Sequence, residues 1–130
     1  MVAAERDHGE GVAAQLPRIY LVNWFRKGAD GKFLWPGYGE NSRVLKWIVE
    51  RLEGRADASD TPIGRVPTAD SLDLGGLGLD AAKLDELLTV DRTVWTEEAA
   101  LAARDLAKLG DRLPTAILHE QAALEERLAG

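Results

Sequence analysis

Between Arg18 and Phe25 the apolar positions Tyr20, Leu21, Val22, Trp24 and Phe25 run almost unbroken. Strict alternation would mark a strand with one wet face. A continuous run predicts a strand covered on both faces, such as an inner strand of an α/β sheet. Gly28-Ala29-Asp30-Gly31 carries turn chemistry, and Phe33-Leu34-Trp35 predicts a short return segment that Pro36 stops. Gly37-Tyr38-Gly39-Glu40 predicts a tight or mobile loop. Beyond it the spacing changes. Val44, Leu45, Ile48, Val49 and Leu52 recur at helical intervals, predicting a helix over about 42–52 with that face buried. Asn41 or Ser42 is the expected cap, and Gly54 stands where a left-handed residue ends a helix. The glycine loop therefore runs into a helix N-terminus, whose free N–H groups favour acceptors and anions.

The rest of the chain is expected to be less regular, then helical. Residues 55–62 read as a surface loop and Ile63–Pro67 as a short edge strand, because Pro67 lacks a ladder donor. Residues 68–80 are turn-rich. Leu84, Leu87 and Leu88 predict a short helix ending near Thr89, and a longer one follows over about 92–109. After the break at Pro114-Thr115, Ile117, Leu118, Leu124 and Leu128 predict a last helix with a glutamate-rich outer face. Residues 1–15 are polar with little periodicity and are expected to be a loose lead-in with at most a short helical piece. The fold class is α/β of the α+β kind: short strands and a hairpin, followed by a mostly helical half.

Composition narrows the function. The chain has 130 residues, 45% hydrophobic and 29% charged, the make-up of a soluble globular piece. No apolar run approaches the ~20 residues that span a bilayer, and residues 1–15 lack the apolar core of a signal peptide. Cysteine is absent, which removes disulfides and thiolate metal sites and fits a reducing cytoplasm. Charge is uneven. Residues 1–67 hold ten Lys/Arg against nine Asp/Glu, whereas residues 68–130 hold six against thirteen. An acidic second half argues against general nucleic-acid binding, which needs a broad basic face.

No catalytic set emerges. Gly31-Lys32 is followed by Phe33, so a Walker-type loop is absent, and Gly75-Gly76-Leu77-Gly78 has neither a leading strand nor a following lysine. His8 and His119 are the only histidines; they read as a solvated terminal and a surface or packed residue. Glu97-Glu98 and Glu125-Glu126 are adjacent on helices, where neighbours in sequence do not face each other. What stands out is residues 20–47, with seven of the eight aromatic residues interleaved with glycines and cations. Rings offer stacking faces for bases, glycines let backbone approach a ligand, and cations answer phosphate. Trp47 and Trp24 read as core. Phe33 and Tyr38, beside turns and glycines, are harder to place there.

The segment NWFRKGADGKFLWPGYGENSRVLKWI (residues 23–48) closely resembles the guanine-binding segment of GTP-dependent phosphoenolpyruvate carboxykinases. The likeness continues more loosely through TPIGRVP to Gly130, so it covers residues 16–130, and residues 1–15 match poorly. It implies the C-terminal part of a nucleotide-binding domain. The family converts oxaloacetate and GTP to phosphoenolpyruvate, GDP and carbon dioxide in gluconeogenesis, with Mn2+ or Mg2+. By resemblance, the rings that enclose the guanine fall on Phe25, Phe33 and Tyr38, and the asparagine that reads its edge on Asn41. Tyr38 departs from the more usual phenylalanine and keeps the stacking face.

The family's phosphate loop, metal ligands, reactive cysteine and substrate arginines have no counterpart here, so catalytic and metal residues are expected to be none. The resemblance implies a cytoplasmic enzyme, monomeric at full length. This chain is expected to be a fragment that is inactive alone and self-associates through exposed strand faces. The rival reading is a non-enzymatic fragment or interaction domain whose aromatic patch binds a partner protein or single-stranded RNA.

Overall fold

A computed structural model describes residues 3–5 and 17–130. The chain divides into two units, residues 1–89 and 90–130.

The first unit is built on a four-stranded antiparallel sheet of β1 (Ala3–Glu5), β2 (Tyr20–Val22), β3 (Ala58–Thr61) and β4 (Gly64–Pro67), in the order β2-β1-β4-β3. Register pairs Ala4 with Leu21, Glu5 with Arg65 and Ser59 with Val66. Several local expectations change here. Ala3–Glu5 is an inner strand and no loose lead-in, while the remainder of that segment, including His8, lies outside the described residues. The strand expected over 18–25 is only three residues long and lies at a sheet edge, with Ile19 and Leu21 exposed. Its pairing stops at Val22, and just beyond it Asn23 Oδ1 accepts the Phe25 N–H at 2.9 Å, a local bond outside the ladder. Ala58–Thr61, expected as loop, is the other edge strand. β4, expected at an edge, is flanked on both sides. Pro67 is tolerated because it closes the strand, beyond the point where β1 pairs.

Helix α1 (Asn41–Leu52) and helix α2 (Ala81–Leu88) complete this unit. Helix α1 ends in a Schellman motif. Arg55 N–H donates to the Glu50 carbonyl at 2.8 Å and Gly54 N–H to that of Arg51 at 3.2 Å, with Gly54 at φ 71°. Its buried side is Val44 and Trp47, whereas Leu45, Val49 and Leu52 are exposed. The apolar positions are therefore split across two faces. Trp47, 1% exposed, sets which face turns inward; its indole N–H donates to the Asp57 carbonyl at 3.1 Å, and Tyr20 meets it edge-on at 6.0 Å. Leu34, Trp35, Val44, Trp47, Ala56, Leu72 and Leu87 form one core cluster. Asp80 caps α2 by accepting the Lys83 N–H at 2.8 Å.

The second unit pairs helix α3 (Arg92–Ala107) with helix α4 (Thr115–Ala129) across a 3-10 turn at Gly110–Arg112. Asp91 caps α3 through the Thr93 and Val94 N–H groups. Arg92, at the start of α3, donates to the Leu128 carbonyl near the end of α4 at 3.1 Å, which fixes the two helices antiparallel. Gln121 Nε2 ties α4 to the Ala99 carbonyl at 2.8 Å. Ala99 and Leu128 are buried, and Val94, Leu101, Ile117 and Leu118 are exposed. Among the described residues no helix is long and apolar enough to cross a membrane.

Candidate functional site

The turn between Arg26 and Leu34 is a small hairpin. Leu34 N–H donates to the Arg26 carbonyl and Gly28 N–H to the Lys32 carbonyl, both at 2.9 Å, so Lys27 and Phe33 face each other as an antiparallel bridge. Gly31, at φ 75°, supplies the reversal, and Asp30 Oδ1 accepts the Lys32 N–H at 3.0 Å. Opposed side chains of such a pair lie on one side of the ribbon. The Lys27 ammonium accordingly sits 5.4 Å over the Phe33 ring, a cation–π distance.

Phe25 and Phe33 then meet with ring centroids 6.0 Å apart and planes inclined at 67°. A base held between two parallel rings needs about 7 Å between them, twice the usual stacking distance. This pair forms a corner instead: a planar ligand lying on one ring meets the other with its edge. Phe25 is 72% exposed and Phe33 57%. Their tryptophan neighbours behave oppositely, with Trp24 half-buried against a buried Trp35 at 5.9 Å. The segment has sorted its rings, tryptophans inward and phenylalanines outward.

Tyr38 is 91% exposed and opens a 3-10 turn, Tyr38–Glu40, that leads into α1. Gly37 precedes it at φ 129°, a conformation that side chains rarely adopt. Among the described residues no ring contact joins Tyr38 to Phe25 or Phe33. The loop is anchored from the helix side. Arg43 Nε donates to Glu40 Oε2 at 2.6 Å, and its Nη1 to the Asp73 carbonyl at 2.7 Å.

Asn41 is the first residue of α1, and Glu40 occupies the cap position without a side-chain cap bond. The capping role expected of Asn41 or Ser42 is therefore not taken. The Asn41 oxygen is engaged elsewhere, since Oδ1 accepts the Trp35 indole N–H at 2.9 Å. Nothing in residue order alone gives this bond away. The place of Lys27 above Phe33 leaves a fainter trace, a cation immediately before a tight turn.

A separate cleft of about 280 Å3 is lined by Lys46, Glu50, Arg55, Asp57, Asp70 and Asp73, and includes none of these rings. Its cations already face carboxylates: Lys46 lies 3.4 Å from Glu50, and Arg55 contacts Glu50 and Glu53. Among the described residues no group of three His, Asp or Glu side chains is placed to hold a metal ion.

The order of residues that produces this hairpin, loop and helix is shared with a known class. The family described as phosphoenolpyruvate carboxykinase C-terminal P-loop domain matches residues 4–127. A GTP-type phosphoenolpyruvate carboxykinase of Arthrobacter sp. strain FB24 is 52% identical over 121 residues, which cover 93% of this chain and 20% of the relative. Its counterpart in Paenarthrobacter aurescens strain TC1 is 50% identical over 114 residues (88% and 19%), and that of Neocallimastix frontalis 51% over 116 residues (88% and 19%). The chain belongs to the GTP-dependent phosphoenolpyruvate carboxykinase family and spans about a fifth of the length of these relatives.

Proposed function

We propose that this chain carries the guanine-binding corner of a GTP-dependent phosphoenolpyruvate carboxykinase, with Phe25, Phe33 and Tyr38 as its rings and Asn41 as the reader of the base edge. The observation that carries this is the sorting of rings: Phe25, Phe33 and Tyr38 stay exposed on one hairpin and loop while Trp24 is half-buried and Trp35 buried. Exposing large rings loses burial energy, so a run that keeps three of them in water suits a ligand-stacking surface better than a core. One face of Phe33 lies under the Lys27 ammonium, which leaves Phe25 the more open stacking face of the pair. Tyr38, on the adjoining loop, supplies a second face.

The reaction itself belongs to the whole enzyme: oxaloacetate and GTP give phosphoenolpyruvate, GDP and carbon dioxide, in the cytoplasm, assisted by Mn2+ or Mg2+ bound outside this chain. On this reading the chain alone turns over no oxaloacetate, since its sequence carries no counterpart of the family's phosphate loop.

Calorimetric titration of the 130-residue chain with GDP and then ADP tests the reading, with Phe25→Ala and Asn41→Ala as controls. Saturable binding of GDP well ahead of ADP, weakened in both variants, is the expected result. A folded chain that binds neither nucleotide removes the site from these residues. Binding to single-stranded RNA that weakens steeply with salt would favour a nucleic-acid surface instead.

A further inference from the structure

An indole N–H can only donate, so whatever faces Trp35 Nε1 at hydrogen-bond distance must accept. The acceptor is Asn41 Oδ1 at 2.9 Å, and Trp35 is only 3% exposed, so water competes poorly for that proton. The Asn41 amide is therefore not free to choose its orientation. Its oxygen points at the indole, and its NH2 group is directed away from it. Helix capping does not disturb this arrangement, since Glu40 holds the cap position.

Orientation matters because an asparagine amide is a donor beside an acceptor. An oxopurine presents O6 as acceptor and N1–H as donor along one edge. An aminopurine presents the reverse, an N6–H donor and N1 as acceptor. The same amide reads either edge after half a turn about its Cβ–Cγ bond. An unheld side chain makes that turn easily and discriminates poorly. With Oδ1 held, its second lone pair accepts N1–H while Nδ2 donates to O6, which is the oxopurine pattern alone. Turning to suit an aminopurine would leave a buried indole proton unpaired.

We infer that Trp35 is a specificity-determining positioning residue, whose buried N–H locks the Asn41 amide in the orientation that accepts oxopurines and refuses aminopurines. This rests on the reading of Phe25, Phe33, Tyr38 and Asn41 as a base site. The role of Trp35 is indirect, since it touches the amide and need not touch the base.

The test removes the proton while keeping the ring. The benzothiophene analogue of tryptophan, with sulfur in place of N–H, is introduced at position 35, and Trp35→Phe is made beside it. GDP, IDP and ADP are titrated into each full chain; IDP keeps O6 and N1–H but lacks the 2-amino group of guanine. The unmodified chain is expected to prefer both oxopurines over ADP by roughly 10- to 100-fold, the scale of one bidentate edge contact. In the sulfur variant that preference should shrink to about threefold or less, mainly because ADP binds more tightly as the amide becomes free to turn. Tighter ADP binding is a change that mere loss of packing does not produce.

A folded sulfur variant that keeps the whole preference overturns the inference. So does one that loses all three nucleotides equally, which would mark Trp35 as packing alone. An unmodified chain that binds GDP and ADP equally overturns the base-site reading itself, and the inference with it. Phe25→Ala, lowering all three affinities together, separates stacking from edge reading.

Discussion

Arg26 Nη1 donates to the carbonyl of Thr89 at 2.8 Å and more loosely to that of Leu87 at 3.4 Å. A cation thus sits at the C-terminus of α2, where the last carbonyls lack helical partners and the helix dipole is negative. This single side chain pins the aromatic hairpin to a helix more than sixty positions away. Arg26→Met is expected to lower stability by about 1 kcal/mol, given that the bond is partly solvated. Urea unfolding measures it, and an unchanged midpoint would show that the hairpin is held by its ring contacts alone.

Trp47 and Tyr38 should respond oppositely to truncation. Trp47→Ala removes a buried ring and leaves the Asp57 carbonyl without its donor, at a cost of about 3–5 kcal/mol. Tyr38→Ala alters a side chain already in water and should stay within about 0.5 kcal/mol of the unmodified chain. Thermal unfolding of the two variants side by side checks this. Comparable losses would mean that Tyr38 is packed against something in solution.

Two glycines separate strain from contact. A Cβ at Gly54 would touch nothing within 4 Å, yet φ is 71°, so Gly54→Ala should cost about 1–2 kcal/mol through backbone strain. D-alanine at the same position favours that φ and should restore the loss. At Gly28 the φ is ordinary, but a Cβ would lie 3.0 Å from Leu34 Cδ2, so any penalty for Gly28→Ala comes from crowding. Shortening the neighbour, in Gly28→Ala with Leu34→Val, should then change the penalty, whereas no such partner exists for Gly54. A Gly54→Ala loss that D-alanine fails to restore would defeat the distinction.

Nucleotide affinity should follow exposed rings and ignore the tyrosine hydroxyl. Removing Phe25 or Tyr38 as alanine is expected to weaken GDP by roughly 1–3 kcal/mol each, the scale of one stacked ring. Tyr38→Phe should leave the dissociation constant within about twofold, since the stacking face is kept. A large loss on Tyr38→Phe would assign the hydroxyl a direct contact.

Much of the first unit was legible, and the failures have causes. Helix α1 and its end could be read because the aliphatic spacing and Gly54 obey strong local rules. Its inner face could not: five aliphatic positions spanned too wide an arc, and the bulk of Trp47 chose among them. Strands β1 and β3, with the sequences AAE and ASDT, escaped notice because backbone ladders hold them and no apolar period marks them. The rings of the candidate site came from family likeness, and the hairpin agreed with turn chemistry. The Trp35–Asn41 bond was invisible, because a contact six residues apart around a proline and two glycines depends on the path of the loop.

The reversal at Gly28–Gly31 has a further consequence, which concerns inheritance. Surface turns ordinarily drift in length as well as in composition. Here Lys27 and Phe33 are paired across the turn, and side chains alternate sides along each arm. One added residue would carry Phe33 to the opposite side, away from Phe25, while most replacements within the turn would leave both in place. Lineages that keep this pair of rings should therefore hold the length of the turn and Gly31 nearly fixed, and vary Ala29 at its tip more freely.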